Sequence, residues 1–478
     1  MSIFLFLQIS SQTDFYPPKR NPDIIVHTNR SISMKKLFIF CSFLTFLFTT
    51  FFSCNSVEPP AGLTIKLKLE DVSCTEAWIE LTSTNLTLPT NVTLYKNDVV
   101  GQNIILSHAD TLLYIDSLFP NQTYLFQSVI QPINQSKVKS NQLSVTTMDT
   151  TSHNFTWQTW TFGEHSSSVL YDVAIIDENN IWAGGEIYMN DSLAQPDPNA
   201  YNAVHWDGSE WTLHRIMFYT VCGQQSLSSY TAKSILAFNE NDIWIAMDGD
   251  QITRLENEVQ TNTICLPWSF VINKIWGSSS NDLYVVGNNG NIARYYNGTW
   301  SRIESGTDVD LKDVWGSPDG TVWACGYNSS YSLTVLIKLD NNIINKLYEG
   351  SPNNKNNNLY IGPLSGGWTN SKFFTYLLNW GALYKQDNKD ELDLSTLSQP
   401  FFYDVAFCIC ANDKNDIIVS GESGMFGHFN GVRFYDLPDL RRGNIQYLGN
   451  DIKDNFFIVV GWDYSTILTK AIVTIGRR

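Results

Sequence analysis

The chain has 478 residues, a formal net charge of −16 and 15 tryptophans. Such an acidic balance excludes broad nucleic-acid binding, which needs clustered Lys and Arg to neutralise phosphates. Eight cysteines are present, and Cys74, Cys222, Cys265, Cys325, Cys408 and Cys410 show neither metal-ligand nor redox spacing, so no metal and no cofactor is expected.

Residues 1–33 have no targeting logic and read as an upstream extension. Met34-Lys35-Lys36 and the apolar run 37–52 then supply the charged front and short core of a secretory signal, too short for a membrane span. The following Phe51-Phe52-Ser53-Cys54 resembles the cleavage box of bacterial lipoproteins, with a small residue before cysteine and a polar tether, residues 55–60, after it. Phenylalanine at the two positions before Ser53 departs from that box's Leu-small pattern. The resemblance implies lipid on Cys54, loss of the signal peptide 34–53, and a bacterial cell-envelope location as an outer-membrane lipoprotein. An ordinary signal peptide or an uncleaved anchor is the alternative. Residues 1–53 carry five basic against two acidic side chains, so the remainder is more acidic than the whole.

Residues 61–148 form a second unit. Runs at 63–69, 77–81, 92–96, 111–115, 123–130 and 141–147 alternate apolar and polar residues, as half-buried antiparallel strands do. Leu118-Phe119-Pro120-Asn121-Gln122-Thr123-Tyr124 resembles the Leu-x-Pro-x-x-x-Tyr segment of fibronectin type III domains, whose tyrosine hydroxyl pins a corner of a β-sandwich. Trp78 matches that family's core tryptophan. No Arg-Gly-Asp is present, and a spacer lifting the rest of the chain off the membrane is the expected role.

From residue 154 to 478 one phrase recurs. Its clearest copies are Ile275-Trp276-Gly277-Ser278-Ser279-Ser280-Asn281-Asp282-Leu283-Tyr284-Val285-Val286-Gly287 and Val314-Trp315-Gly316-Ser317-Pro318-Asp319-Gly320-Thr321-Val322-Trp323-Ala324-Cys325-Gly326: strand, polar turn, strand, glycine. Seven copies align on Ile181-Trp182, Ile243-Trp244, Leu283-Tyr284, Val322-Trp323, Phe373-Phe374, Ile417-Ile418 and Phe456-Phe457. An all-strand unit recurring about every 40 residues implies a β-propeller, because one blade cannot bury its faces without neighbours. The two long steps predict insertions around 188–203 or 218–230, and around 351–367. Asp207-Gly208, Asn297-Gly298 and Asn430-Gly431 read as hairpin turns needing positive φ. The seventh copy ends one strand short, and residues 155–162 supply the missing outer strand. The expected fold is all-β, a seven-bladed propeller preceded by a fibronectin type III-like sandwich. The repeats also resemble those of secreted bacterial propellers, which implies fold and export and no activity.

Chemistry is sparse. Residues 317–323 approach a sialidase Asp-box one residue short, and no arginine triad recurs on the inner strands. His205, His214 and Glu210 lack a spacing that favours a metal. Asp172, Asp313, Asp404 and Asp451 are the inner-strand acids whose convergence would signal glycoside hydrolysis. The recurrence of the first three before or near the same blade position points instead to capping of backbone amides. A Cys222–Cys265 bond is one option among the thiols, and Cys408 and Cys410 read as free and buried. Trp182, Trp244 and Trp323 are expected between blades. Trp276 and Trp315, at inner-strand ends, are candidates for stacking on a sugar or clamping a partner loop, with wedging between blades as the alternative. Tyr188, Tyr201, Tyr360 and Trp368, in or beside the insertions, complete the candidate partner-binding set. The expected function is a non-catalytic, monomeric envelope lipoprotein whose propeller rim binds a protein or glycan. The rival is a carbohydrate-active enzyme, a glycoside hydrolase or lyase, working in the central funnel.

Overall fold

A computed structural model describes residues 62–131, 136–397 and 402–478; Cys54, the signal segment and the tether lie outside the described residues. Among the described residues there is no α-helix, and two 3₁₀ turns, Glu422–Gly424 and Pro438–Leu440, interrupt a chain of strands.

The first strands build a two-layer sandwich. Thr64–Val72, Ala77–Thr84 and Asp110–Ile115 form one sheet in that order. Val99–Leu106, Thr90–Lys96 and Thr123–Ile130 form the other, whose last strand also pairs with Val138–Lys139 and Leu143–Thr146. Period-2 alternation sends Ile65, Leu67, Ile79 and Leu81 inward to meet Val92, Leu94, Phe126 and Ile130. The Tyr124 hydroxyl accepts the Phe119 N–H at 2.8 Å and ties down the loop before its strand.

Trp78 corrects the sequence reading. It lies between Ala77 and Ile79, both core residues, so the pleat turns its ring out of the sandwich. There it stacks on Phe373 (5.9 Å) and Phe374 (5.1 Å) of the repeat region and belongs to that region's apolar cluster. The Lys385 ammonium sits 4.9 Å from the Trp78 ring centre and 4.5 Å from that of Phe374, and pairs with Glu76 at 2.5 Å. Lys372 pairs with Glu70 at 2.5 Å, and Lys414 with Asp71. The sandwich is therefore docked through an aromatic patch rimmed by ion pairs.

The repeat region comprises seven four-stranded antiparallel sheets, among the described residues. Their first strands are Val169–Asp177, Ala232–Asn239, Ile272–Ser279, Leu311–Gly316, Leu364–Trp368, Ala406–Asp413 and Ile445–Lys453. Each neighbours the first strand of the next sheet, and the seventh neighbours the first. A closed cycle of radially stacked sheets is a β-propeller. Second strands are buried on both faces by adjoining sheets, which explains rows such as Ile417-Ile418-Val419 and Phe457-Ile458-Val459-Val460. Trp182, Trp244 and Trp323 are buried there, as their place in the repeat demands.

In the seventh sheet the outer strand is Thr156–Phe162, paired antiparallel with Lys470–Arg477 from Thr156↔Arg477 to Phe162↔Ala471. Between the first and second sheets a short hairpin pairs Phe218–Tyr219 with Leu227–Ser228, and Cys222 in its tip is bonded to Cys265. Between the fourth and fifth, Lys355–Asn356 pairs with Leu359–Tyr360. Of the three expected Gly turns, Asn297-Gly298 has two consecutive positive φ values, 48° and 91°. At Asp207-Gly208 and Asn430-Gly431 the φ is positive at glycine alone. There the Asp207 and Asn430 side chains accept the N–H groups of Ser209 and Glu210, and of Val432 and Arg433.

Candidate functional site

Each of the seven first strands breaks register after its first, second or third residue. The slips follow Leu170, Ala232, Ile272, Leu311, Leu364, Ala406 and Tyr447. They bring a belt of residues, Asp172, Ser234, Lys274, Asp313, Gly366, Cys408 and Gly449, to one level of the ring. Lys274 Nζ crosses from the third sheet to the first and lies 2.8 Å from both carboxylate oxygens of Asp172. Ser234, on the sheet between, donates to the same carboxylate at 2.6 Å. Burial disfavours the Lys274 charge, yet Asp172 and Asp313 outweigh it and hold its pKa above the ordinary lysine value.

Asp172 alone contacts this lysine, while Asp313 and Asp451 are buried close enough for its charge to act on them, the set of acids that a hydrolase reading asks for. Their oxygens are already committed. Asp172 accepts Val173 N–H (3.1 Å) and Ile235 N–H (3.0 Å), Asp313 accepts Val314 N–H (2.9 Å) and Gly367 N–H (3.1 Å), and Asp451 accepts Ile452 N–H (2.8 Å) and Ile175 N–H (2.7 Å). Each carboxylate bolts its own strand to a neighbouring sheet. Burial raises Asp313 and Asp451 to about 6. Asp404 stands apart, 3.1 Å from Arg441 Nη1 outside the belt.

The belt's second row contains the tryptophans singled out in the repeat. Trp315 is 4% exposed; its Nε1 donates to Thr375 Oγ1 at 2.7 Å, and a Cβ on Gly367 of the next sheet would come within 2.1 Å of its ring. The Trp276 ring stands in the same relation to Gly316, also at 2.1 Å. Both rings wedge adjoining sheets over a glycine that alone leaves room for them. A partner cannot reach Trp315, which corrects its reading as a rim residue. Trp368 stacks on Tyr376. Tyr201 lies under the Arg215 guanidinium at 3.9 Å, and the Tyr188 hydroxyl donates to Glu186 at 2.6 Å. Tyr188 and Tyr201 lie at the first sheet and Trp368 in the fifth, and all three rings are half-buried.

Tyr360 has different company. It is exposed, and its carbonyl accepts Tyr384 Oη (2.7 Å) and Asn379 Nδ2 (3.3 Å), which sets the insertion hairpin against the turn holding Trp380. Trp380 packs edge-on to Tyr327 (5.3 Å), at the end of the fourth sheet's second strand, and to Tyr331 (4.7 Å) in the turn that follows. On its other side the Trp380 carbonyl accepts Ala406 N–H at 2.9 Å, fixing the connection that carries Tyr403. Tyr331 is 52% and Tyr403 80% exposed. Lys312 lies 5.5 Å over the Tyr327 ring and 3.3 Å from Asp310, and Arg441 lies 5.6 Å over Tyr403 while paired with Asp404 and Asp436. The result is one aromatic face spanning the fourth to sixth sheets, with paired charges at its margin.

Periodicity did not mark Tyr331, Trp380 or Tyr403, which lie in turns and a connection outside the repeated phrase, nor Tyr327, which ends a second strand just past the phrase's closing glycine. Their signal is large rings where the third copy has Asn288-Asn289-Gly290. Among the described residues no group of three or more His, Cys, Asp or Glu is arranged to hold a metal. His205 stacks on Trp182 at 4.4 Å and is held to Asn180 at 3.0 Å, a packing role.

No sequence family matches the chain, and no curated protein is similar to it in sequence. Among solved structures it is similar to YCF48 bound to D1 peptide, at 14% identity over 67% of this chain and 95% of that one, with a TM-score of 0.49. It is also similar to a catalytically inactive virginiamycin B lyase from Staphylococcus aureus with quinupristin, at 9% identity over 68% of this chain and 100% of the other, with a TM-score of 0.49. The WD40 propeller domain of Doa1 follows at 12% identity, over 66% and 96% of the two chains, with a TM-score of 0.43. The propeller assignment rests on this chain's own strand order.

Proposed function

We propose that this chain is an exported, lipid-anchored, seven-bladed β-propeller fused to a fibronectin type III-like sandwich, and that it binds a protein partner without catalysis. The binding surface is the face built by Tyr327, Tyr331, Trp380, Tyr403 and Tyr360. One observation carries this reading: Tyr331 and Tyr403 lie exposed, and Tyr331 is packed against the half-buried rings of Tyr327 and Trp380, with neutralised charges around them. Pre-ordered Tyr and Trp side chains give large contact area at small entropic cost and dominate protein interfaces. Against an enzymatic role stands the commitment of the channel acids to backbone amides.

The sandwich assignment draws on the three-strand and five-strand sheet orders and the Tyr124 bond to Phe119. The blade count draws on the seven four-stranded sheets. Export and anchoring rest on the charged front at 34–36, the apolar run and Ser53-Cys54, as does the envelope location.

The test is capture of partners by the full-length chain, with a photo-crosslinker placed at Tyr331. Crosslinked protein bands lost in Trp380→Ala support the reading. Binding to a glycan array with no protein captured overturns the choice of partner class, and capture unchanged in a Tyr331→Ala, Trp380→Ala, Tyr403→Ala triple variant moves the site elsewhere. Labelled palmitate on the wild type and its absence on Cys54→Ala checks the anchor separately.

A further inference from the structure

The docked sandwich leaves a cleft of about 200 Å³ at its junction with the fifth sheet, lined by Glu70, Glu80, Asp110, Leu112, Lys372 and Phe373. Clefts that enclose a whole small molecule run to roughly 300–1,000 Å³, so this one has room for a single side chain. Ile79 and Leu81 belong to the sandwich core, so Glu80 between them points outward with Trp78. Strand pairing sets Glu80 opposite Leu112 and Thr82 opposite Asp110 on that outward face. Leu112 is 46% exposed, and Glu80 is half-buried.

The same face already holds lysines in this manner. Glu70 takes Lys372, Asp71 takes Lys414 and Glu76 takes Lys385, and the propeller supplies all three ammonium groups. Two of them also lie over rings: Lys372 is 5.0 Å from the centre of Phe373, and Lys385 is 4.9, 5.4 and 4.5 Å from those of Trp78, Tyr114 and Phe374. Glu80 and Asp110 make no hydrogen bond or ion pair among the described residues. Lys68, opposite Glu80, feels its charge but is held by Glu70 at 2.5 Å. Lys66 stands across Thr82 from Asp110, two strands away. The cleft thus repeats the surroundings of Lys385, carboxylate beside apolar wall, and lacks the lysine.

We infer that this cleft is a second binding site, which takes a lysine side chain of a protein partner, its ammonium between Glu80 and Asp110 and its methylene stem along Leu112 and Phe373. Diagonal neighbours on paired strands lie about 7–8 Å apart at Cα, a span over which two carboxylates can share one ammonium. Both acids are open to solvent, so salt screens the attraction and one such contact is weak by itself. The site shares no residue with the aromatic face and stands independently of it.

The experiment titrates the full-length chain, in detergent, into a fluorescein-labelled tri-lysine peptide and follows its anisotropy, with a tri-norleucine peptide, which has the stem without the charge, measured beside it. The expected result is saturable binding of tri-lysine that is at least about tenfold weaker in a Glu80→Gln, Asp110→Asn double variant. Asp308→Asn, which neutralises an exposed acid of the propeller, leaves it unchanged, and tri-norleucine does not saturate. Equal binding by the double variant, an equal loss in Asp308→Asn, tri-norleucine bound as tightly as tri-lysine, or no saturable binding at all would overturn the inference. The substitutions keep side-chain size and shape, and circular dichroism of each variant separates a lost site from a lost fold.

Discussion

At the scale of single residues, glycine and tryptophan act as matched halves. Gly316 and Gly367 exist to admit the rings of Trp276 and Trp315, so a methyl group at either position forces a ring or a sheet to move. Gly367→Ala is expected to cost about 1–3 kcal/mol by overpacking, and Trp315→Ala about 3–5 kcal/mol by leaving a cavity; denaturant unfolding measures both. Titration acts at a second spot. His428 is fully buried, with Nε2 2.9 Å from Asp416 and Nδ1 2.7 Å from Nδ1 of His153, while Arg478 pairs with Asp416 at 2.6 Å. Burial lowers His153 from 6.5 to about 4 and lowers His428 as well. The unfolded chain therefore takes up protons near pH 6.5 that the folded chain refuses, and stability falls as pH drops from there toward 4. Asp313 and Asp451, raised to about 6, oppose this by favouring the fold as they protonate. His153→Gln should flatten the acid-side fall in melting temperature, and an unchanged slope would remove this pair from the balance. Wedging by Trp276 and Trp315 was one of two readings open in the sequence, but their glycine partners on the next sheet and the contact of His428 with His153, 275 positions away, were not legible there.

At the scale of elements, the strands and their order were legible and their outward faces were not. The phrase from Ile275 to Gly287 located second strands throughout, since burial on both faces demands unbroken apolar runs. The belt of register slips left no mark in composition, so the role of Lys274 as the crossbar of the channel emerged with the coordinates alone. Trp78 was misassigned for a reason of phase: a family motif locates the strand, and a one-residue shift in the pleat sends its ring to the other face. Turn chemistry was half legible, with Asn257-Glu258 and Asn341-Asn342 adopting the paired positive φ expected of Asn-Gly. The Cys222–Cys265 bond closes a separation of 43 residues and clips the inserted hairpin to the second sheet. Chain-entropy arguments assign such a loop about 4 kcal/mol. Reduction, or Cys222→Ser, should lower the unfolding midpoint correspondingly while leaving the strand signal in circular dichroism intact.

At the scale of the whole molecule, two long-range contacts hold the fold: the sandwich seated on the fifth and sixth sheets, and the outer strand that completes the seventh. Lys385→Ala removes the cation from the Trp78, Tyr114 and Phe374 rings and the partner from Glu76. It should speed proteolysis between residues 149 and 155 without lowering the propeller's own melting transition, as limited digestion and calorimetry together would show. Deleting residues 156–162 should instead expose Lys470–Arg477 as a bare edge and give soluble aggregates in light scattering.

The closing strand also imposes a timetable. Trp157 and Trp160 leave the ribosome more than 300 residues before their partners Gly476 and Val473. At about 5–20 residues per second, this uncharged, tryptophan-rich segment waits roughly 15–60 s without its neighbour. During that interval the six earlier sheets can stack in order, yet the ring stays open at one seam. Residues 156–162 thus stay without their partner strand until the end of the chain has been made, for a reason that belongs to synthesis rather than to the finished structure.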